Sequence, residues 1–419
     1  MVNKMMEVLL DWNLDSKLST ITVDNCSVND GVVQSLVRKL KSDELLLRGE
    51  FLHMRCCAHI LNLIVKDGLD IIGDGLERIR NSCVFWTSTP KKIEMFEAEA
   101  QLSHINSTKK LCYDVKTRWN STFLMLETAL IYKGVFHRLQ FRDPQYKTVP
   151  TDLDWENAKL VNEKLKIFFT ITELFSGTKY TTANHYFPKI CEIRLYLMEW
   201  ILDSNPKFSE MATKMMKKFK KYWSVIHGIM GVATILDPRC KKDLIDYYYL
   251  KIYGKDYFEE EVDKIVVLFR RLFREYASRG SNDHSEQSAI EDSMRKSDLP
   301  KDFLLSRRKK QKVEDELNLY INGDLVADSE NFNVLSWWMT NGHKYPTLQK
   351  IAQDVFSIPV STVASESAFS MGGRIISPLR NRLHPKLVEA LACGQNWLRA
   401  QYQGLNLILN LVVLVFCFL

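Results

Sequence analysis

Residues 21–30, ITVDNCSVND, contain the strand-to-turn transition on which the fold assignment depends. The first three residues favour a buried strand, and Asp24 with Asn25 ends it. An aspartate in this position is either a turn residue that caps backbone amides or a metal-binding carboxylate at the end of a sheet. The ten residues alone leave both interpretations open.

Strands and helices are predicted on both sides of this stretch. Residues 19–24 predict one strand, and residues 51–55, FLHMR, predict a second. The segment between them predicts a helix whose apolar residues share one face: Val32, Val33, Leu36, Val37 and Leu40. From 91 to 275 the apolar periodicity is mostly helical. The pattern therefore predicts an α/β fold that is mostly helical.

The composition is that of a globular protein with room for two or three domains, since the chain has 419 residues, of which 46% are hydrophobic. The net charge of +6 permits a polyanionic partner without requiring one. Nine cysteines without a CxxC pair indicate reduced, intracellular thiols. The apolar tail, residues 403–419, is too short for a membrane helix of about 20 apolar residues, so no membrane partner is predicted.

Two segments rich in basic residues are candidates for contact with nucleic acid. The polar segment 278–316 is predicted to be a disordered linker. Its basic run favours a nuclear import signal or a phosphate contact, and a solvated charge cluster is the alternative: Arg307, Arg308, Lys309 and Lys310. The second segment, KKFKKYW at 217–223, predicts an amphipathic helix with lysines on its polar face, for which DNA contact is one interpretation.

Two shorter motifs each have a structural and a functional interpretation. Cys56 and His59 have the spacing of half a zinc site, but the sequence contains no convincing second half, which favours a satisfied buried histidine. Arg118 and Trp119 form a polar and aromatic cluster that suits either base stacking or a core tryptophan beside a paired arginine.

The motifs taken in order carry more information than any one of them. The chain reads TVDNCSVND, RCCAHILNLIV, TRWNST, FSGTKYTTANHYFPKI and YWSVIHGIMGVATILDPR, and then NFNVLSWW followed by YPTLQKIAQDVFSIPVSTVASESAF. This series resembles the hAT superfamily of DNA transposases, and in particular the plant zinc-finger BED proteins of the RICESLEEPER type. The resemblance covers nearly the whole chain and is most specific in the C-terminal part.

The resemblance implies an RNase H-like core, here partial, that is split by a large α-helical insertion and followed by a helical hAT dimerisation region. The domains expected on this basis are a partial core at 1–75, an insertion at 76–277, a disordered basic linker at 278–316, a dimerisation region with the last core helix at 317–402, and an apolar tail at 403–419.

The resemblance also assigns candidate site residues. Asp24 matches the second acidic residue of the family site, and Glu366 matches the third. These carboxylates would bind magnesium only in an active form, and otherwise no cofactor is expected. Trp119 matches a tryptophan that stacks on DNA, while Cys56 and His59 match a structural motif. The dimerisation anchors expected from aromatic and aliphatic character are Trp337, Trp338, Leu348, Ile351, Val355 and Phe356.

The chain also departs from the family pattern, because neither the first aspartate nor the BED finger is recognised upstream of Asp24. We therefore expect an N-terminally truncated, catalytically inactive nuclear protein that binds DNA and forms homodimers or heterodimers with related hAT proteins. The alternatives are an active two-metal transposase whose N-terminal part is missing from this sequence, and a helical interaction scaffold with no role on DNA.

Overall fold

The computed structural model describes residues 1–40, 45–279, 316–329, 332–376 and 382–402. Within these residues helices predominate, and the strands form one two-stranded sheet. The mostly helical α/β fold predicted from the sequence is confirmed.

The chain divides into two compact units. Unit 1 comprises residues 1–56, residues 176–191 and the described residues from 225 onward, while unit 2 comprises residues 57–175 and 192–224. These units do not coincide with the segments predicted from the sequence, whose boundaries stay predictions.

The helices are listed here in chain order: α1 (Val2–Asp11), α2 (Ser27–Lys39), α3 (Cys57–Leu69), α4 (Gly73–Thr87), α5 (Pro90–Leu102), α6 (Trp119–Ile131), α7 (Lys133–Leu139), α8 (Asp152–Phe175), α9 (Ala183–Ile201), α10 (Pro206–Ile235), α11 (Lys241–Tyr253), α12 (Phe258–Arg279), α13 (316–321), α14 (Val334–Asn341), α15 (Pro346–Phe356), α16 (Val363–Ile375) and α17 (Pro385–Tyr402).

Both predicted strands are present in unit 1. Strand β1 (Ile21–Val23) pairs in parallel with β2 (His53–Arg55), and Thr22 lies opposite Met54. Helix α2 lies between the strands in the chain, as a parallel pair requires a crossover connection. The carboxyl ends of both strands therefore lie at the same edge of the sheet.

The apolar faces of α1, α2 and β1 form a shared core in unit 1. The buried residues of this core are all apolar: Met5, Leu9, Ile21, Val33, Leu36, Leu40, Leu45 and Leu52. Asp30, in the first turn of α2, forms an ion pair of 3.0 Å with Arg55 on β2. Helix α2 is thus fixed to the sheet by apolar burial and by one ion pair.

The C-terminal helices of unit 1 pack around α12. Helix α12 contacts both α11 and α15. The indole nitrogen of Trp338 on α14 donates a hydrogen bond to the carbonyl oxygen of Leu236, and the hydroxyl of Tyr320 on α13 donates to that of Ile235, each at 2.9 Å. These two bonds join the helices that follow the basic segment to the end of α10.

Unit 2 is a helical assembly around α8, which contacts α3, α4 and α6. Trp86, Phe96, Phe136 and Trp155 are all buried in its interior. Asp154, in the first turn of α8, accepts hydrogen bonds from the Arg78 guanidinium at 2.5 and 2.7 Å. An aromatic core and a buried carboxylate therefore fix α4 against the start of α8.

The predicted linker and tail fall mainly outside the described residues. Helix α12 continues to Arg279 and α13 begins at 316, so residues 280–315 and 403–419 lie outside the described part. None of the helices described here has both the length and the apolar character needed to cross a bilayer.

Candidate carboxylate site and nucleic-acid interface

Asp24 follows β1 directly and shapes the turn into α2. Its Oδ1 accepts hydrogen bonds from the backbone nitrogen of Cys26 at 3.0 Å and from Nδ2 of Asn29 at 2.6 Å. Asp24 therefore has the capping role of a turn residue. It also stands at the carboxyl end of a strand, which is the position that a metal-binding carboxylate requires.

Glu366 lies in the first turn of α16 and is exposed. A carboxylate there is stabilised by the positive end of the helix dipole. Its Oε1 lies 2.8 Å from the hydroxyl oxygen of Thr362, the residue that precedes the helix. Glu366 is thus held locally by the N-terminus of its own helix.

Cys56 connects the start of α16 to the sheet. Its backbone nitrogen donates to the carbonyl oxygen of Val23 at 2.8 Å, and its Sγ accepts from the backbone nitrogen of Thr362 at 3.3 Å. The hydroxyl of Thr22 on β1 donates to the carbonyl oxygen of Pro359 at 2.6 Å. The start of α16, with Glu366 in its first turn, is therefore joined to the strand ends next to Asp24.

The hydroxyl of Thr362 lies between a thiol and a carboxylate, 3.1 Å from Cys56 Sγ and 2.8 Å from Glu366 Oε1. A hydroxyl has a single hydrogen, so it donates to only one of these neighbours. The Thr362 hydroxyl lies within hydrogen-bond distance of both the buried thiol and the glutamate carboxylate.

A two-metal centre needs more acidic side chains than Asp24 and Glu366 supply. Two magnesium ions require about three acidic ligands at close range. Within the described residues, no group of three His, Cys, Asp or Glu side chains is placed to hold a metal ion. Asp24 and Glu366 also each commit one carboxylate oxygen to hydrogen bonds within the protein. The described residues therefore place no third acidic ligand beside Asp24 and Glu366.

Among the described residues, Cys56 and His59 belong to no group of three His, Cys, Asp or Glu side chains that could hold a metal ion. Cys56 is fully buried and bonds to Thr362, while His59 is half-buried on α3. Asn62, one turn further along α3, shares the helical spacing of Cys56 and His59 in the sequence. Its Oδ1 accepts from the backbone nitrogen of Trp119 at 3.2 Å and so caps α6.

Trp119 occupies the interior of unit 2. Its side chain is 4% exposed and packs edge-on against the rings of Phe123 and Phe169. An indole buried to this extent offers no face to a nucleic-acid base. Of the two interpretations, base stacking and a core tryptophan, the packing is that of a core tryptophan. Arg118 precedes it and is exposed. Base stacking by Trp119 stays a prediction that this packing does not support.

The segment before α6 is anchored by the buried carboxylate of Asp114, which no motif of the sequence indicated. Asp114 accepts a bidentate pair from Arg80 at 2.7 and 2.8 Å and a further bond from the Thr122 hydroxyl at 2.7 Å. Burial alone would raise the pKa of Asp114, but the Arg80 guanidinium and the Thr122 hydroxyl outweigh it and lower the pKa. Asp114 therefore stays ionised and fixes the segment that leads to Arg118.

The candidates of the basic linker lie outside the described residues. They are Arg307, Arg308, Lys309 and Lys310.

Most of the predicted dimerisation anchors are buried in the interior of unit 1. Five of the six are at most 3% exposed within unit 1: Trp338, Leu348, Ile351, Val355 and Phe356. Trp337 is half-buried beside Tyr320. Leu348, Ile351, Val355 and Phe356 lie on α15, which packs against α12 of the same chain, so the role of these residues at a dimer interface stays a prediction. Their apolar periodicity identifies a helix face that is buried without identifying what buries it.

Family models match four successive segments of the chain. They are described as a ZBED1 RNase-like domain at 1–51, a ZBED1 RNase-like helical domain at 54–164, an hAT-like transposase RNase-H fold at 184–276, and an hAT family C-terminal dimerisation region at 316–398.

Curated relatives align along nearly the whole chain. A Zea mays protein named "Putative AC transposase" is 38% identical over 95% of this chain and 50% of its own length. The zinc finger BED domain-containing protein RICESLEEPER 2 of Oryza sativa subsp. japonica is 33% identical, over 93% of this chain and 57% of its own. DAYSLEEPER of Arabidopsis thaliana is 29% identical, over 93% and 55%. The chain thus spans about half the length of these relatives.

Proposed function

We propose that this chain, which belongs to the hAT family of transposases and transposase-derived proteins, is a nuclear DNA-binding protein. We further propose that it dimerises through its C-terminal region and does not itself cut DNA. The observation that carries this proposal is a stripe of exposed leucines on α17. Helix α17 lies largely within the segment matched by the hAT dimerisation region, 316–398.

The leucine stripe consists of Leu387, Leu391 and Leu398, which are 47%, 45% and 56% exposed. Their spacing of four and seven residues places them on one face of the helix. Trp397 beside them is 52% exposed. A helix that leaves three leucines and a tryptophan in water favours association. We take the partner to be a second copy of this chain, since an identical stripe supplies a matching apolar surface.

Sedimentation velocity at micromolar protein concentration tests this dimer. The wild-type chain is expected to sediment as a dimer, and Leu387→Glu combined with Leu391→Glu as a folded monomer, because both side chains are already half exposed in one chain. Glu389→Lys, on the opposite side of α17, is the matched control and should remain dimeric. A wild-type monomer, or a leucine variant that is still dimeric, contradicts the proposed interface.

The non-cutting part of the proposal is supported by the carboxylate geometry. Asp24 and Glu366 are joined through Cys56 and Thr362, and the described residues add no third acidic ligand beside them. DNA binding is supported by the net charge of +6 and by the transposase names of two Zea mays relatives. Nuclear location is proposed because the proposed ligand is chromosomal DNA.

The retention of Asp24 at a strand end and of Glu366 in the first turn of α16 favours one second candidate, an active transposase whose remaining acidic ligand comes from residues beyond this sequence. Adding the corresponding upstream region of a transposase-named relative to this chain separates the two. Restored magnesium-dependent cleavage that is lost in Glu366→Gln supports the second candidate. Absence of DNA binding by any form leaves only an interaction scaffold.

A further inference from the structure

The solvent-facing side of α10 in unit 2 carries an unusual density of lysines. Six lie between residues 207 and 221: Lys207, Lys214, Lys217, Lys218, Lys220 and Lys221. Five of them are exposed, and Lys218 is half-buried. The opposite side of the helix faces the interior, where Met211, Met215 and Phe219 are at most 3% exposed. The helix is therefore oriented by its buried face, and the lysine side chains project into solvent.

Acidic side chains compensate little of this charge. Lys218 forms an ion pair of 3.0 Å with Asp67 on α3. In the described structure the other five lysines have no carboxylate within ion-pair distance. Glu210 is the single acidic residue between 207 and 221. We call these five lysines the α10 lysine face: Lys207, Lys214, Lys217, Lys220 and Lys221.

The dimensions of the face match a nucleic-acid backbone. At a rise of about 1.5 Å per residue, the 14 steps from Lys207 to Lys221 span about 21 Å. A DNA strand carries one charge per about 3.4 Å of axis, so the face runs alongside about six nucleotides. Lys214, Lys217 and Lys221 lie within about 60° of one another around the helix. A linear row of uncompensated ammonium groups is thus presented to a linear polyanion.

The aromatic residues of this segment do not point to base recognition or to a membrane. Phe219 is buried, and the Trp223 ring lies 5.1 Å from the guanidinium of Arg194. Without an exposed ring, the face offers phosphate contacts alone, which position a protein without reading sequence. Membrane insertion requires a free apolar face, whereas the apolar face of α10 is occupied by the core of unit 2.

We propose that the α10 lysine face binds the phosphate backbone of double-stranded DNA in a sequence-independent manner. This inference rests on the proposed DNA-binding function and assigns it to a specific surface. The lysines hold the duplex against unit 2, and each contacted phosphate releases a condensed counterion, so the contribution of the face decreases as the salt concentration rises.

Fluorescence anisotropy with a labelled random-sequence duplex of about 20 base pairs, titrated at several KCl concentrations, tests the assignment. The test variant of the full chain combines Lys214→Gln, Lys217→Gln and Lys221→Gln. The control variant combines Lys91→Gln, Lys147→Gln and Lys159→Gln, three exposed lysines elsewhere in unit 2. Both remove the same charge, and circular dichroism verifies that both are folded.

The test variant should reduce the slope of log K against log salt by about 2 to 3 and weaken binding about 10- to 100-fold at low salt. The control variant should retain the wild-type slope. Equal effects of the two variants overturn the lysine face while leaving DNA binding intact. Absence of binding by the wild-type chain overturns the proposed function and this inference together. Tighter binding of poly-aspartate than of DNA by the same lysines also overturns the assignment.

Discussion

Removing the charge of Asp154 is expected to destabilise unit 2 in a pH-dependent way. This carboxylate is buried at the start of α8, where it accepts two bonds from Arg78 and one from the backbone nitrogen of Thr151. The Arg78 guanidinium, opposed by burial and assisted by Thr151, lowers the pKa of Asp154 from 3.8 to about 2. At about 1.36 kcal/mol per pKa unit, this difference corresponds to about 2.4 kcal/mol.

Solvent screening reduces that value, because the side chain of Arg78 is 42% exposed. We therefore expect Asp154→Asn to lower the free energy of unfolding at pH 7 by about 1 to 2 kcal/mol. A depressed pKa in the folded state means that the stabilisation is complete above the unfolded pKa near 4. It is lost as the pH falls towards 2. The difference between variant and wild type should therefore shrink over this interval.

Urea unfolding followed by tryptophan fluorescence, repeated from pH 7 to pH 3, measures this difference. The matched control is Asp152→Asn, in the same helical turn, whose side chain is 87% exposed beside Lys133. Its unfolding midpoint should stay that of the wild type. Two results would contradict this role of Asp154. One is an Asp154→Asn variant with the wild-type free energy of unfolding at pH 7, and the other is a difference in that free energy that is as large at pH 3 as at pH 7.

Two further substitutions test the packing on which the site assignments depend. Trp119→Ala should lower the free energy of unfolding by about 3 to 5 kcal/mol, as for a core tryptophan, whereas the exposed Arg118→Ala should leave urea denaturation unchanged; equal effects contradict the buried placement. Gly231→Ala should cost about 1 to 2 kcal/mol by overpacking, because a Cβ there would lie 2.7 Å from Cδ1 of Ile265. Gly31→Ala, with open space around it on α2, should be neutral or stabilising by thermal unfolding. A Gly31→Ala variant that is less stable than Gly231→Ala contradicts the close contact between Gly231 and Ile265.

The sequence predicts the parts of this fold that depend on local pattern. The strand at 21–23 consists of three β-branched residues followed by Asp24 and Asn25, the strand at 53–55 lies within the predicted segment FLHMR, and both strands are present. The helical periodicity of α2, α3 and α12 likewise predicts their buried faces. Asp24 illustrates where such reasoning ends, because it caps a turn and also stands at a strand end.

The contacts that the sequence did not reveal join residues far apart in the chain. Cys56 and Thr362 are separated by 306 positions, and nothing near either residue indicates the other. The proposed dimerisation anchors at 348–356 are a related case, and their role at a dimer interface stays a prediction. The apolar periodicity of 348–356 is that of a helix with one buried face, and whether its own chain or a partner buries that face depends on tertiary packing against α12.

The proposal that this chain does not cut DNA rests on Asp24 and Glu366, beside which the described residues place no third acidic ligand. Its most direct test is a nicking assay with supercoiled plasmid, purified chain and magnesium, in which Asp24→Asn keeps the turn geometry while removing the charge. We predict that the wild-type chain nicks no more plasmid than Asp24→Asn or Glu366→Gln. Magnesium-dependent nicking by the wild type that both substitutions abolish would contradict the account.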